Sequence, residues 1–121
     1  MEDNSTTIKE LKDKVQRYCE ERDWDQYHNP KELAIGVSTE AAELLEHFRF
    51  KSESQMNDML QDASKREEIS EEMADTLYFL VRLAQKYNID LTNAFEKKME
   101  KNERKYPIEK ARGSNKKYNE L

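Results

Sequence analysis

Two glycines and two prolines are all that punctuate a chain of 121 residues. These residues are the strongest local breakers, and a chain with so few of them, rich in Glu, Lys, Leu and Ala, is committed to long helices. The length fits one domain with a modest core. Only 36% of residues are hydrophobic against 39% charged. A monomer with so little apolar content is marginal, so subunit contacts are expected to finish the core.

Apolar spacing and caps predict four helices. Thr7 and Glu10 form a capping box, after which Ile8, Leu11, Val15, Tyr18 and Cys19 recur at helical spacing until about Arg22-Asp23-Trp24. Asn29 caps a second helix, with Pro30 at its first position and Glu32 completing a box. Leu33, Val37, Ala41, Leu44 and Phe48 make its stripe, to about Phe50. Residues 51–66 read as a polar connector with a short amphipathic stretch at Met56, Met59, Leu60 and Ala63. A third helix runs from about Glu67 to Tyr87, stopped by Asn88. A fourth starts near Asp90 or Thr92 and ends before Pro107. Residues 1–107 thus form a helical domain, and 108–121 a basic tail carrying Lys110, Arg112, Lys116 and Lys117. Short links between four helices predict an all-α bundle.

The net charge of −5 and the lack of a basic patch before the tail argue against duplex nucleic acid as a partner. No apolar run approaches a membrane span, and Met1-Glu2-Asp3-Asn4 lacks the basic start of a signal peptide. The single cysteine, Cys19, falls on an apolar stripe and reads as a core residue in a reducing compartment. The expectation is a soluble, cytoplasmic protein without membrane contact.

Against that background one carboxylate is out of place. Successive helical residues turn by ~100°, which puts Val37, Leu44 and also Glu40 within ~40° of Leu33. Glu40 therefore lies in the core stripe, and Glu43 on its edge. On the third helix Glu68, Glu72, Asp75 and Phe79 share one line beside the apolar face. On the fourth, Asn102 sits on the stripe with Lys98 one turn before it. With 26 acidic residues, E-x-x-E spacing alone arises by chance. A carboxylate in a core stripe does not, because burying it unpaired costs several kcal/mol.

Hard divalent cations take oxygen ligands of this kind, a few carboxylates plus water and phosphate. Two acidic pairs on facing helices can hold Mg²⁺, neutralise polyphosphate and acidify a bound water. The alternative is a buried ion network in a helical interface. A dimetal oxygen-activating bundle needs Glu-x-x-His pairs, and neither Glu43, Glu46 nor Glu72 has a His three residues on.

Glu40-Ala-Ala-Glu43 followed by Glu72-Met-Ala-Asp75 resembles the hallmark of the MazG-like all-α nucleotide pyrophosphohydrolases, and of their dCTP pyrophosphatase branch in particular. The context agrees: Glu21-Arg22-Asp23-Trp24-Asp25-Gln26-Tyr27-His28, Pro30 to Ala34, Lys98 to Asn102, Lys105-Tyr106-Pro107 and Lys116-Lys117-Tyr118. The resemblance covers roughly residues 8–121. It implies cleavage of a nucleoside triphosphate to monophosphate and pyrophosphate, a house-cleaning reaction on dCTP-like or modified nucleotides. It implies Mg²⁺, with Mn²⁺ as a substitute, held by Glu40, Glu43, Glu72 and Asp75. Lys98 and Asn102 are implied to contact phosphate. Glu43 is the first choice for the water-activating base, with Glu40 the second. It also implies a homo-tetramer or homo-dimer.

Base recognition calls for aromatic stacking and a few polar groups. Trp24, Phe50 and Phe79 are the aromatic candidates by position, and His28 is a polar one, although Trp24 and His28 serve equally well as loop anchors. In the animal dCTP enzymes of this branch the positions of Val15, Phe50 and Phe79 carry His, Trp and Tyr. Each change removes a polar contact or stacking area, which leaves the metal site untouched and the preference for dCTP or its 5-modified forms open. The competing class is a catalytically silent helical oligomer that binds nucleotide or a partner protein, for which at least one of the four carboxylates should be missing.

Overall fold

The computed structural model describes residues 1–121. It contains α1 (Ile8–Glu21), α2 (Pro30–Phe48), α3 (Glu53–Gln61), α4 (Ala63–Lys86), α5 (Leu91–Lys105) and the short α6 (Ile108–Ala111). Single 3-10 turns lie at Asp25–Tyr27 and Tyr118–Glu120, and there is no strand. The all-α expectation holds. No helix is long and apolar enough to cross a membrane.

The caps account for the helix starts. Thr7 accepts from the Glu10 N–H while the Glu10 carboxylate accepts from the Thr7 N–H, closing the box. Asn29 accepts from the Glu32 N–H at 2.8 Å with Pro30 at the first position, as expected. The reciprocal half of that second box gives way to an ion pair between Glu32 and Lys31. Asp90 caps α5 through the Asn93 N–H. Asn88, after α4, takes φ +56, the left-handed conformation that Asn tolerates at a helix end.

Two stretches differ from the sequence reading. The expected connector holds a real helix, α3, opened by a Ser52/Gln55 capping box. Asp62 then ends α3 and caps α4 through the Lys65 N–H, so α4 begins at Ala63 rather than near Glu67. Its first turn carries no apolar stripe, so periodicity gave no signal there. The chain after Pro107 also contains structure, α6 and the terminal 3-10 turn, with Tyr118 edge-on to Tyr106 and the Lys105 ammonium over its ring.

Backbone contacts divide the chain into two units, Met1–Asn88 and Ile89–Leu121. In the first, α4 is the central element and packs on α2, α1 and α3. It supplies Ile69, Val81, Arg82 and Ala84 to the buried interior, joined by Leu33 of α2 and Cys19 of α1. Cys19 is fully buried and lies 3.3 Å from the Tyr78 hydroxyl, in line with a packing role. Met73, Leu77 and Leu80 of α4 are 57%, 44% and 42% exposed in the single chain.

The α2–α4 contact closes at a glycine. A Cβ built on Gly36 would fall 2.4 Å from Cδ1 of Phe79, so the absence of a side chain at 36 lets the Phe79 ring lie against the α2 backbone. A second tie joins the α1–α2 loop to α4. Arg82, 1% exposed, donates to the Asp25 carboxylate, to Nδ1 of His28 and to Gln85. Lys86 donates to the backbone carbonyls of Asp25 and His28. Burial and the neighbouring charges of Arg82 and Lys86 lower the His28 pKa, which keeps the imidazole neutral and able to accept.

Candidate functional site

Glu40 and Glu43 lie one turn apart on α2, and Glu72 reaches them from α4. One ligand oxygen from each of the three falls within 4.8 Å of the others. Helical spacing of three fixes the first pair side by side, and the Gly36–Phe79 crossing one turn away holds the two helices close. Oε2 of Glu40 and Oε2 of Glu72 are buried and have no hydrogen-bond partner. Buried polar atoms are nearly always paired, so two orphans on neighbouring carboxylates of one cluster stand out.

The electrostatics agree. Burial, followed by the facing Glu43, Asp75 and Glu72 carboxylates, pushes Glu40 up to about 7. Glu72 is also raised, by burial and by Glu43, with His47 pulling the other way. A cation would relieve both. The donor set is all oxygen and crowded with negative charge, which is the chemistry hard divalent ions take, and the residues present fit such an ion.

Asp75, the fourth expected ligand, is one turn beyond Glu72 and is exposed. It adds to the field that raises Glu40, but it is not part of the tight cluster of three. It lines a neighbouring cavity of about 440 Å³ instead. Ala74 and Tyr78 of α4 form the cavity's other wall on that side, and Lys14, Val15 and Tyr18 of α1 with Trp24 close it opposite. Trp24 meets Tyr18 edge-on at 5.5 Å, and Tyr18 meets Tyr78 in the same way at 5.9 Å. Burial and the contact with Cys19 raise the Tyr78 pKa, so its hydroxyl stays protonated. The result is a three-aromatic pocket with a carboxylate shared at its edge.

Of the four residues proposed for base contact, the cavity wall contains Trp24. His28 is held by Arg82 beneath the loop. Phe79 packs on Gly36 and on Tyr78, 4.9 Å between ring centroids. Phe50 follows the end of α2 at φ +64, 88% exposed, with the Arg49 guanidinium 4.6 Å over its ring. Lys98 and Asn102 lie on α5 in the second unit, exposed and half-buried respectively. Tyr18 and Tyr78 were not singled out from the sequence. Tyr78 shares a helical face with Ala74 and Asp75, a spacing that would have pointed to it.

Comparison with known proteins places this geometry. The model of the MazG-like family matches residues 35–121, a span that contains the whole acidic cluster. The chain belongs to the MazG-like family. This MazG-like chain is 35% identical over 115 residues to dCTP pyrophosphatase 1 of Homo sapiens and 34% identical to that of Rattus norvegicus. Each alignment covers 95% of this chain and 68% of the relative. Among solved structures, a pyrophosphatase from Archaeoglobus fulgidus DSM 4304 matches with a TM-score of 0.78 and 38% identity. That match covers 88% of this MazG-like chain and 98% of the other.

Proposed function

We propose that this MazG-like protein is a divalent-cation-dependent nucleoside triphosphate pyrophosphohydrolase, converting an NTP or dNTP and water to the monophosphate and pyrophosphate. The observation that carries this reading is the pair of orphaned buried oxygens on Glu40 and Glu72, two carboxylates of one tight cluster beside an aromatic pocket. Relatives named for dCTP pyrophosphatase activity and a related pyrophosphatase structure support it.

In this reading Glu40, Glu43 and Glu72 would hold Mg²⁺, or Mn²⁺ in its place, with Asp75 as the fourth candidate. The bound ion supplies electrophilic activation of phosphate and a more acidic water. Glu43, which faces both Glu40 and Glu72, accepts the proton of the attacking water. The water oxygen bonds to one phosphorus of the α–β anhydride and the bond from that phosphorus to the bridging oxygen breaks, giving the monophosphate and pyrophosphate. By the family resemblance, Lys98 and Asn102 are the candidates for the remaining phosphate oxygens. The base stacks in the pocket of Trp24, Tyr18 and Tyr78, with Phe50 and Phe79 as further aromatic candidates. Val15 on the pocket wall offers no hydrogen bond, which favours selection by shape and stacking among dCTP-like or modified bases. The exposed Leu45, Met73, Leu77 and Leu80 support a homo-tetramer or homo-dimer.

A panel of canonical and modified dNTPs and NTPs, assayed for pyrophosphate release with Mg²⁺ and with EDTA, tests the reaction. Mg²⁺-dependent release with monophosphate as co-product is expected, and the same panel ranks the bases. Absence of release from every triphosphate would overturn the reading in favour of a silent helical oligomer.

A further inference from the structure

His47 stands one helical turn beyond Glu43 on α2, so it projects on the same face as the carboxylates. Its Nε2 lies 3.7 Å from Oε1 of Glu72, and both side chains are largely buried, 18% and 22% exposed. That separation is too long for a hydrogen bond, and closing it by about 0.8 Å would make one. The two oxygens of Glu72 therefore differ. Oε1 faces the imidazole, while Oε2 is buried and unpartnered. A carboxylate whose one oxygen is held by an N–H has its other oxygen aimed, and groups that orient a metal ligand in this way govern how well the ion is held.

We propose that His47 is a positioning residue for the cation site: with that gap closed around a bound ion, its N–H holds Oε1 of Glu72 and so directs Oε2 at the ion. This rests on the reading of Glu40, Glu43 and Glu72 as cation ligands. His47 itself touches neither ion nor substrate. The alternative role for a half-buried imidazole in a helix contact is packing alone, and an isosteric apolar residue would serve that equally well.

His47→Leu keeps the volume and removes the donor, while His47→Gln keeps an N–H donor. The probe is Mn²⁺ alone, titrated into the full chain without nucleotide and read by electron paramagnetic resonance, together with turnover as a function of Mg²⁺. The expected result is Mn²⁺ binding weakened at least about tenfold in His47→Leu, the lower end of what loss of a ligand-orienting partner costs. Affinity should be largely restored in His47→Gln. Turnover of His47→Leu should recover as Mg²⁺ is raised, because the defect lies in holding the ion. Mn²⁺ affinity unchanged in His47→Leu, or equally weak in His47→Gln, would overturn the proposal. If the unmodified chain binds no Mn²⁺, the cation reading itself fails, and this inference with it. If it binds Mn²⁺ and turns over normally but the two variants match it, only the role of His47 fails.

Discussion

Gly36→Ala sets two known effects against each other. Within a helix, Ala is favoured over Gly by about 1 kcal/mol, so on α2 alone the change should stabilise. The added Cβ, however, would meet Cδ1, Cε1 and Cγ of Phe79 at 2.4, 2.5 and 2.6 Å. Carbon atoms pack best at roughly 3.5–4.0 Å, so ring or helix must yield by about an ångström. Contact with Cγ, at the root of the ring, means that a ring flip does not relieve the clash. Overpacking costs about 1–3 kcal/mol, and this geometry belongs at the upper end. Subtracting the propensity gain leaves a net loss of about 1–2 kcal/mol. The clash also sits one turn from Glu40 on α2 and one turn from Asp75 on α4, so parting the helices there spreads the carboxylates. Urea unfolding followed by circular dichroism reads the stability, and Mn²⁺ titration reads the site. Phe79→Leu in the Gly36→Ala background should recover at least about 1 kcal/mol as coupling in a double-mutant cycle. A Gly36→Ala protein that is more stable than its parent and binds Mn²⁺ as well would refute the close-crossing argument.

Glu40→Gln should abolish Mg²⁺-dependent turnover yet leave a folded protein. Because the folded-state pKa of Glu40 is raised to about 7, its contribution to stability is intact below the unfolded value of about 4.3 and is lost as pH rises through about 7. In EDTA, Glu40→Gln should therefore gain on the parent chain between about pH 5 and pH 8 in thermal melts; a constant gap would contradict the buried-carboxylate reading. The Arg82 tie should be asymmetric. Asp25→Ala leaves a buried guanidinium with only the neutral His28 and Gln85 as acceptors, a loss of about 3–5 kcal/mol discounted to about 2–3 because Asp25 is half exposed. Arg82→Met leaves an aspartate that water can reach and should cost only about 1 kcal/mol; denaturation midpoints in the reverse order would defeat this account. Sedimentation across a dilution series should find dimers or tetramers, and a monomer at every concentration would leave the exposed Leu77 and Leu80 without a partner.

Much of this was written locally in the chain. The helix starts at Thr7, Asn29 and Asp90 are set by side chains within three residues of the backbone groups they satisfy. Glu40 betrayed itself because the angular position of a residue on a helix depends on its sequence number alone. The features that escaped are those for which the partner must be known. Gly36 in isolation is a helix-weakening residue, and its value exists only against Phe79. Arg82, on the helix that supplies most of the buried interior, is tolerated there because Asp25 and His28, more than fifty positions earlier, arrive to meet it. Tyr18 and Tyr78 each fit an ordinary core stripe and become pocket walls only once α1 lies against α4. α3 is the exception, since its Ser52/Gln55 box is as local as that of α1; the few apolar positions behind it leave the helix without a clear stripe.

Asp75 belongs to the wall of the aromatic pocket and to the field around Glu40 at once. The two walls of that pocket are therefore not equally free to diverge. Replacements on the α4 side, around Asp75, disturb the acid cluster together with the shape of the cavity. Replacements on the α1 side, at Lys14, Val15 and Tyr18, reshape the cavity without touching a carboxylate. In the proposed reading, a lineage exploring new nucleobases would thus find its viable variants on α1, exchanging one wall of the pocket while the acid cluster stays as it is.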